Sequence, residues 1–271
     1  MRYLRSIVKS FSIFKRIKQL KADRAKKNQE IKDFIRDSKL WTPHDQEMFE
    51  FYSQFLSKND LCFDVGANVG NRTKIFLKLF SKVVAIEPQS ECMKYLKLSY
   101  GRNGKLTLIN KALGESEGKA EILISSANTI SSLSKDWIEA VKKSGRFATY
   151  QWDRKQTVRM TTLDNLINLY GKPSFIKIDV EGFEYQVLQG LSQPVETLSF
   201  EFTPEQMEST IKCIQYLQHI GEIRLNYSVG ESMKLSLEEW VNPQEIISIL
   251  SGFSDDNMLF GDIYVQFKYL I

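Results

Sequence analysis

The sequence predicts an α/β domain with a doubly wound, mostly parallel sheet over residues 41–271, preceded by a helical extension over residues 1–40. Three observations carry this. Short apolar runs alternate with helical periods between residues 61 and 110 and again between 174 and 219, the connections are short, and 42% hydrophobic with 26% charged residues suits a cored domain. A length of 271 residues accommodates one large core and an appendage, not two full domains.

Residues 1–38 space Leu4, Ile7, Phe11, Phe14, Ile17 and Leu20 close to the helical period, with Lys and Arg between them, which predicts a basic amphipathic helix. Residues 1–40 hold 13 Lys and Arg against 4 Asp and Glu, while the whole chain carries only +4, so the remainder is net negative. That asymmetry gives the helix two readings: peripheral contact with an anionic membrane surface, or packing on a partner or on the body. It argues against a nucleic-acid partner for the core. No apolar run here exceeds two residues, too short for a signal-peptide core or a membrane span. Cys62, Cys92 and Cys213 show no paired spacing and read as small core hydrophobes of a reducing compartment, so a cytoplasmic location is expected.

Thr42-Pro43 places a cap and a first-turn proline ahead of aromatics at helical spacing, predicting a helix over 41–57. A βαβαβ series follows: strand 61–65, helix 70–80, strand 82–87, helix 89–99 and strand 106–110. Residues 119–124 and 156–162 read as an extra strand pair around a polar stretch, 125–154, suited to a lid or substrate loop. The rhythm resumes with strand 174–179, helix 183–189, strand 197–202 and helix 204–219, and ends with a strand-like 222–228, a helix at 243–250 and a strand at 262–268. In such a sheet, ligands sit beyond the carboxyl ends of the strands.

The first of those ends reads Asp64-Val-Gly-Ala-Asn-Val-Gly70 and opens a helix. Gly66 and Gly70 give GxxxG, without the middle glycine through which GxGxxG approaches a pyrophosphate. Alone, this reads first as a tight strand-to-helix turn capped by Asp64. S-adenosylmethionine has no pyrophosphate. Its amino-acid end suits a helix N-terminus and a nearby acid, with Ala67 and Asn68 in the loop between. Glu87 closes the second strand, where an acid accepts from two ribose hydroxyls, although it is equally placed to serve the dipole of the next helix. At the third strand end, Asn110 and Ala112 offer a polar group and a small apolar wall for adenine, or merely a turn.

The fourth strand ends in Ile176-Lys-Ile-Asp-Val-Glu-Gly-Phe-Glu184. Asp179 or Glu181 is a candidate base for removing a hydroxyl proton during methyl transfer. The competing readings are helix capping and a divalent-metal site from Asp179, Glu181 and Glu201. No metal is assigned. His44 and His219 lie outside every motif.

With DVGANVG at 64–70, IEP at 86–88, NKALGE at 110–115, TLDNL at 162–166 and IKIDVEGFE at 176–184, the chain resembles the FkbM family of S-adenosylmethionine-dependent methyltransferases over roughly residues 60–205. The resemblance implies a Rossmann-like class I methyltransferase fold, with Asp64, Gly66, Gly70 and Glu87 at the cofactor. It also implies O-methylation of a small-molecule or glycan acceptor. Rival readings are a nicotinamide oxidoreductase, disfavoured by the missing middle glycine, and a non-catalytic interaction protein that has kept the fold.

Overall fold

The computed structural model describes residues 2–79, 81–253 and 259–268, except for the side chains of residues 2–18 and 20. The apolar stripe from Leu4 to Leu20 therefore lies outside the described side chains. The chain divides into two compact units, Met1–Leu40 and Trp41–Ile271.

The first unit is one helix, α1 (Arg2–Asp37). Its residues 21–30 are exposed throughout, and it is laced by Gln19–Asp23 and Gln29–Asp33 hydrogen bonds four residues apart. Among the described residues, no helix is long and apolar enough to cross a membrane.

The second unit opens with α2 (Pro43–Tyr52), whose start obeys its sequence: Thr42 accepts from the Asp45 N–H, Asp45 accepts from the Thr42 N–H, and Pro43 occupies the first turn. Then come β1 (Leu61–Val65), α3 (Asn71–Lys78), β2 (Lys82–Ile86), α4 (Ser90–Tyr100) and β3 (Leu106–Ile109). After an excursion through β4 (Ala112–Leu113), β5 (Gly118–Ile124), α5 (Lys135–Lys143) and β6 (Arg154–Thr161), the alternation returns with α6 (Leu163–Tyr170), β7 (Phe175–Ile178), α7 (Glu184–Gln189) and β8 (Thr197–Phe202). The chain ends with α8 (Met207–Ile220), β9 (Ile223–Val229), α9 (Pro243–Ser251) and β10 (Gly261–Phe267).

The main sheet has seven strands in the order β3-β2-β1-β7-β8-β10-β9. Pairs from β3 through β8 are parallel, and β10 inserts antiparallel between β8 and β9. The fold is thus the expected Rossmann-like α/β class with a mostly parallel sheet. Strand order reverses between β1 and β7, so a crevice opens beside their carboxyl ends.

Both faces of the sheet are covered, which is why its strands read as nearly continuous apolar runs. Phe63, Ile176, Leu198 and Ile263 pack with Leu166, Val187, Ile214 and Leu250 from the helices of one side. Cys62, Ala85, Phe175 and Tyr264 face the other side, toward Phe51, Tyr52, Phe55 and Phe76. There Phe55 stacks on Phe175 at 5.4 Å and on Tyr264 at 5.4 Å, ring pairs worth about 1 kcal/mol each beyond area burial.

Residues 125–154 depart from the expected polar stretch. They contain α5, which presents Trp137, Ile138 and Val141 to Ile130 in a small core of its own. Ser134 caps α5 by accepting from the Trp137 N–H at 3.1 Å. The three apolar residues make too short a periodic segment to stand out among the flanking Ser and Lys. All three cysteines are buried as free thiols.

Candidate functional site

A cavity of about 450 Å³ opens at the carboxyl edge beside the β1–β7 reversal, a volume typical of small-molecule sites. Of the residues expected there, Asp64, Gly66, Ala67, Asn68, Glu87, Ala112, Asp179 and Glu181 line it. Strand ends build it directly: the Gly66 and Ala67 N–H groups donate to Ile86 O at 2.9 and 3.0 Å, and the Asp179 N–H donates to Val65 O at 2.9 Å. Gly66 has φ +82°, and a Cβ there would overlap the carbonyl oxygen of Asp179. Only glycine lets β1 turn away this close to β7.

Gly70 and Asn110 lie outside the lining. Gly70, at φ +99°, faces Leu96 and Tyr100 and so seats α3 against α4. The Asn110 amide donates to Glu87 O at 2.8 Å and Pro88 O at 3.1 Å, fixing the turn that carries Glu87.

Glu87 is almost fully enclosed, with 2% exposure, and accepts from the Asn68 N–H at 2.8 Å and the Gln89 N–H at 2.7 Å. Burial pushes its carboxyl up to about 7 despite those donors. Asp64, equally enclosed, accepts from the Thr73 hydroxyl, and burial raises it to about 6. Each carboxylate oxygen of Glu87 retains a second lone pair for a ligand hydroxyl. Beyond them Ala112, Leu113 and Ile122 form an apolar wall suited to a flat ring.

A strap runs from this end toward Glu181. The Asn128 carbonyl accepts from both the Asn68 amide at 3.2 Å and the Gln89 amide at 3.0 Å. Trp152 donates to Ile130 O at 2.7 Å, and the Ser132 hydroxyl donates to Glu181 O at 2.6 Å. These residues bear no motif. Their only sequence signal is a cluster of small polar residues after a strand.

At the other end, Asp179, Glu181 and Glu201 each bring a carboxylate oxygen within 4.8 Å of the others. The capping reading fails for the first two, because α7 starts without any side-chain cap hydrogen bond; the Glu184 carboxylate instead ties the turn ahead of it, accepting from the Val180 N–H at 3.0 Å and the Gly182 N–H at 3.3 Å. Burial first, and then the charges of Asp179 and Glu184, push Glu181 well above the carboxylate range. Glu201 is raised by burial and by Glu181 and Asp179. Ionisation of Glu181 and of Glu201 is thus disfavoured, each by burial and by the neighbouring carboxylates.

Lys177, 1% exposed, lies beneath the cluster and donates to Asp262 at 2.9 Å and to Asp179 at 3.3 Å. Burial pulls its ammonium down, but Asp179 and Asp262 outweigh this and leave it well above its ordinary value. Phe147, Phe183 and Phe260 complete the lining on this side.

A model described as the methyltransferase FkbM domain matches residues 64–233, more than half of the chain. Comparison with curated proteins finds no match. Similar solved structures include a precorrin-6y C5,15-methyltransferase from Geobacter metallireducens, 8% identical with a TM-score of 0.43 over 82% of this chain and 87% of that one. Another is a TehB-like SAM-dependent methyltransferase from Corynebacterium glutamicum, 8% identical with a TM-score of 0.41, over 82% and 88%. A third is the C-terminal domain of precorrin-6Y C5,15-methyltransferase from Rhodobacter capsulatus, 11% identical with a TM-score of 0.40, over 80% and 86%.

Proposed function

The chain belongs to the FkbM methyltransferase family, and from that premise we propose that it uses S-adenosylmethionine to O-methylate a hydroxyl of a saccharide, glycolipid or related metabolite. The observation that carries this reading is one cavity with two different ends: Glu87 and an apolar wall at one, three carboxylates and aromatic rings at the other.

S-adenosylmethionine, when bound, supplies a methyl group on a positively charged sulfur. Glu87 is placed to accept from both ribose hydroxyls, and Ala112, Leu113 and Ile122 to enclose the adenine. Asp64 and the Gly66–Asn68 turn, ahead of α3, serve the amino-acid end. The acceptor rests at the opposite end, where carboxylates accept from sugar hydroxyls and Phe147 and Phe260 offer flat apolar surface to the C–H faces of a ring. Alignment of the acceptor oxygen with the methyl group supplies most of the rate, and Glu181 or Asp179 takes the hydroxyl proton as oxygen attacks. A small-molecule or glycan acceptor fits this arrangement, and no nucleic-acid partner is proposed.

Calorimetric titration with S-adenosylhomocysteine, NAD and NADP tests the cofactor assignment. Micromolar binding of S-adenosylhomocysteine alone, abolished by Glu87→Ala, is the expected result. Binding of a nicotinamide cofactor, or of none of the three, would overturn it. Transfer of a labelled methyl group to carbohydrate hydroxyls, read by mass spectrometry, then tests the acceptor class.

A further inference from the structure

We propose that Arg72 binds the α-carboxylate of the cofactor, so that the chain reads the amino-acid end of its ligand with a guanidinium; this rests on the S-adenosylmethionine reading above.

Arg72 is the second residue of α3 and lines the cavity in the same wall as Asp64. Its side chain is only 17% exposed, yet its hydrogen bonding is poor. Nη2 donates to Glu231, Nη1 faces the thioether of Met48, and Nε is buried without a partner among the described residues. A guanidinium has five donors, and a thioether is a weak acceptor. An enclosed cation with one strong acceptor is under-satisfied, and a planar carboxylate matches its fork.

Glu231, the present partner, also lines the cavity but is half exposed, and it follows the Gly230 turn at φ +54°. Its carboxylate marks the kind of group Arg72 takes, and it is free to turn to water when a ligand supplies another. The start of α3 adds to the same potential, since its cap residue Gly70 contributes no side-chain acceptor.

Of the other cations that line the cavity, Lys177 is already held by Asp262 and Asp179, and Lys111 adjoins Ala112 and Leu113 of the apolar wall, while the acids Asp64 and Asp179 offer a carboxylate no donor. The same acids attract an ammonium. A ligand carrying both groups is therefore sorted, with its carboxylate toward Arg72 and its ammonium toward Asp64 and Asp179.

The test compares two ligands by calorimetry: S-adenosylhomocysteine, and 5′-methylthioadenosine, which shares the nucleoside and lacks the amino-acid end. Arg72→Gln is expected to weaken the first by about 30-fold, as loss of a charge-assisted pair requires, and the second by less than about threefold. Arg72→Lys is expected to fall between, and Glu231→Gln to leave the affinity unchanged or tighter. Retained 5′-methylthioadenosine binding shows that each variant is folded. Equal weakening of both ligands, no weakening of either, or a Glu231→Gln loss as large as that of Arg72→Gln would overturn the proposal. Wild-type protein that binds neither ligand would instead overturn the cofactor reading, and this assignment with it.

Discussion

The ammonium of Lys177 lies 2.9 Å from the carboxylate of Asp262, joining the fourth parallel strand to a strand that enters the sheet 85 residues later and in the opposite direction. β8 separates the two strands, so the pair reaches past it beneath the three-carboxylate cluster. Its second contact, to Asp179 at 3.3 Å, carries the same charge to the cavity.

Removing the cation leaves a 7%-exposed Asp262 with only the long Tyr264 hydroxyl contact at 3.5 Å. Lys177→Met is therefore expected to cost about 3–5 kcal/mol, the range for breaking a buried ion pair from one side. Urea denaturation measures it. The double variant Lys177→Met/Asp262→Leu should recover much of the loss, because replacing both partners removes the buried charge altogether. A Lys177→Met cost below about 1 kcal/mol would show the pair to be solvated.

Enclosure of Glu87 and Asp64 has a consequence for stability against pH. Their carboxyls sit at about 7 and about 6, above the ordinary values of 4.5 and 3.8. An unfolded chain releases these protons earlier than the folded one, so the stability they confer is complete below about pH 4. It is lost as pH rises through 6 and 7. For Glu87 the difference amounts to about 3 kcal/mol. The contribution of these two groups to the ligand-free melting temperature is expected to fall between about pH 4 and 7 and to level off above, with a shallower fall in Glu87→Gln. An identical slope in that variant would remove Glu87 as a source.

Gly66→Ala tests the closeness of the β1 and β7 ends. The substitution asks an L-residue to hold φ +82° and sets a Cβ against the Asp179 backbone. Left-handed strain and overpacking together are expected to cost about 3 kcal/mol or more. A melting curve decides this, and binding of S-adenosylhomocysteine should vanish in the same variant. A near-neutral change would mean the strand ends separate freely.

Much of this site was legible because its residues sit at strand ends, where local periodicity announces both the strand and the turn. β1 and β8 fall on the residues their apolar runs predicted, and Asp64, Glu87, Asp179 and Glu181 follow from position alone. What pairs across the fold was not legible. Asp262 meets Lys177 because β10 inserts beside β8, and Glu231 meets Arg72 from the turn after β9; nothing local in those residues signals either approach. Asn110 shows the opposite case, a side chain in a suggestive place whose amide is spent on the Glu87 and Pro88 carbonyls. The helix at 135–143 was hidden because its apolar face is three residues long.

The basic N-terminal helix is expected to bind anionic liposomes, on the strength of 13 Lys and Arg within residues 1–40. Sedimentation with phosphatidylserine vesicles should carry the full chain down at low salt and release it at high salt, as screening shortens the range of attraction. Equal sedimentation of a chain lacking residues 1–38 would assign any binding to the body.

The identity of the base is open to a pH–rate measurement. Burial, then Asp179 and Glu184, hold the Glu181 carboxyl well above its usual range, so a Glu181 base becomes competent only as pH rises through that raised value. Turnover should climb along one limb. Asp179→Asn removes one of the charges that raise Glu181 and is expected to shift the limb to lower pH. Glu181→Gln should abolish the limb and lower kcat by about a hundredfold or more, the scale of a lost general base. If Glu181→Gln turns over normally at every pH while Asp179→Asn does not, the proton goes to Asp179. If both retain full turnover, neither carboxylate is the base, and alignment of the acceptor carries the reaction.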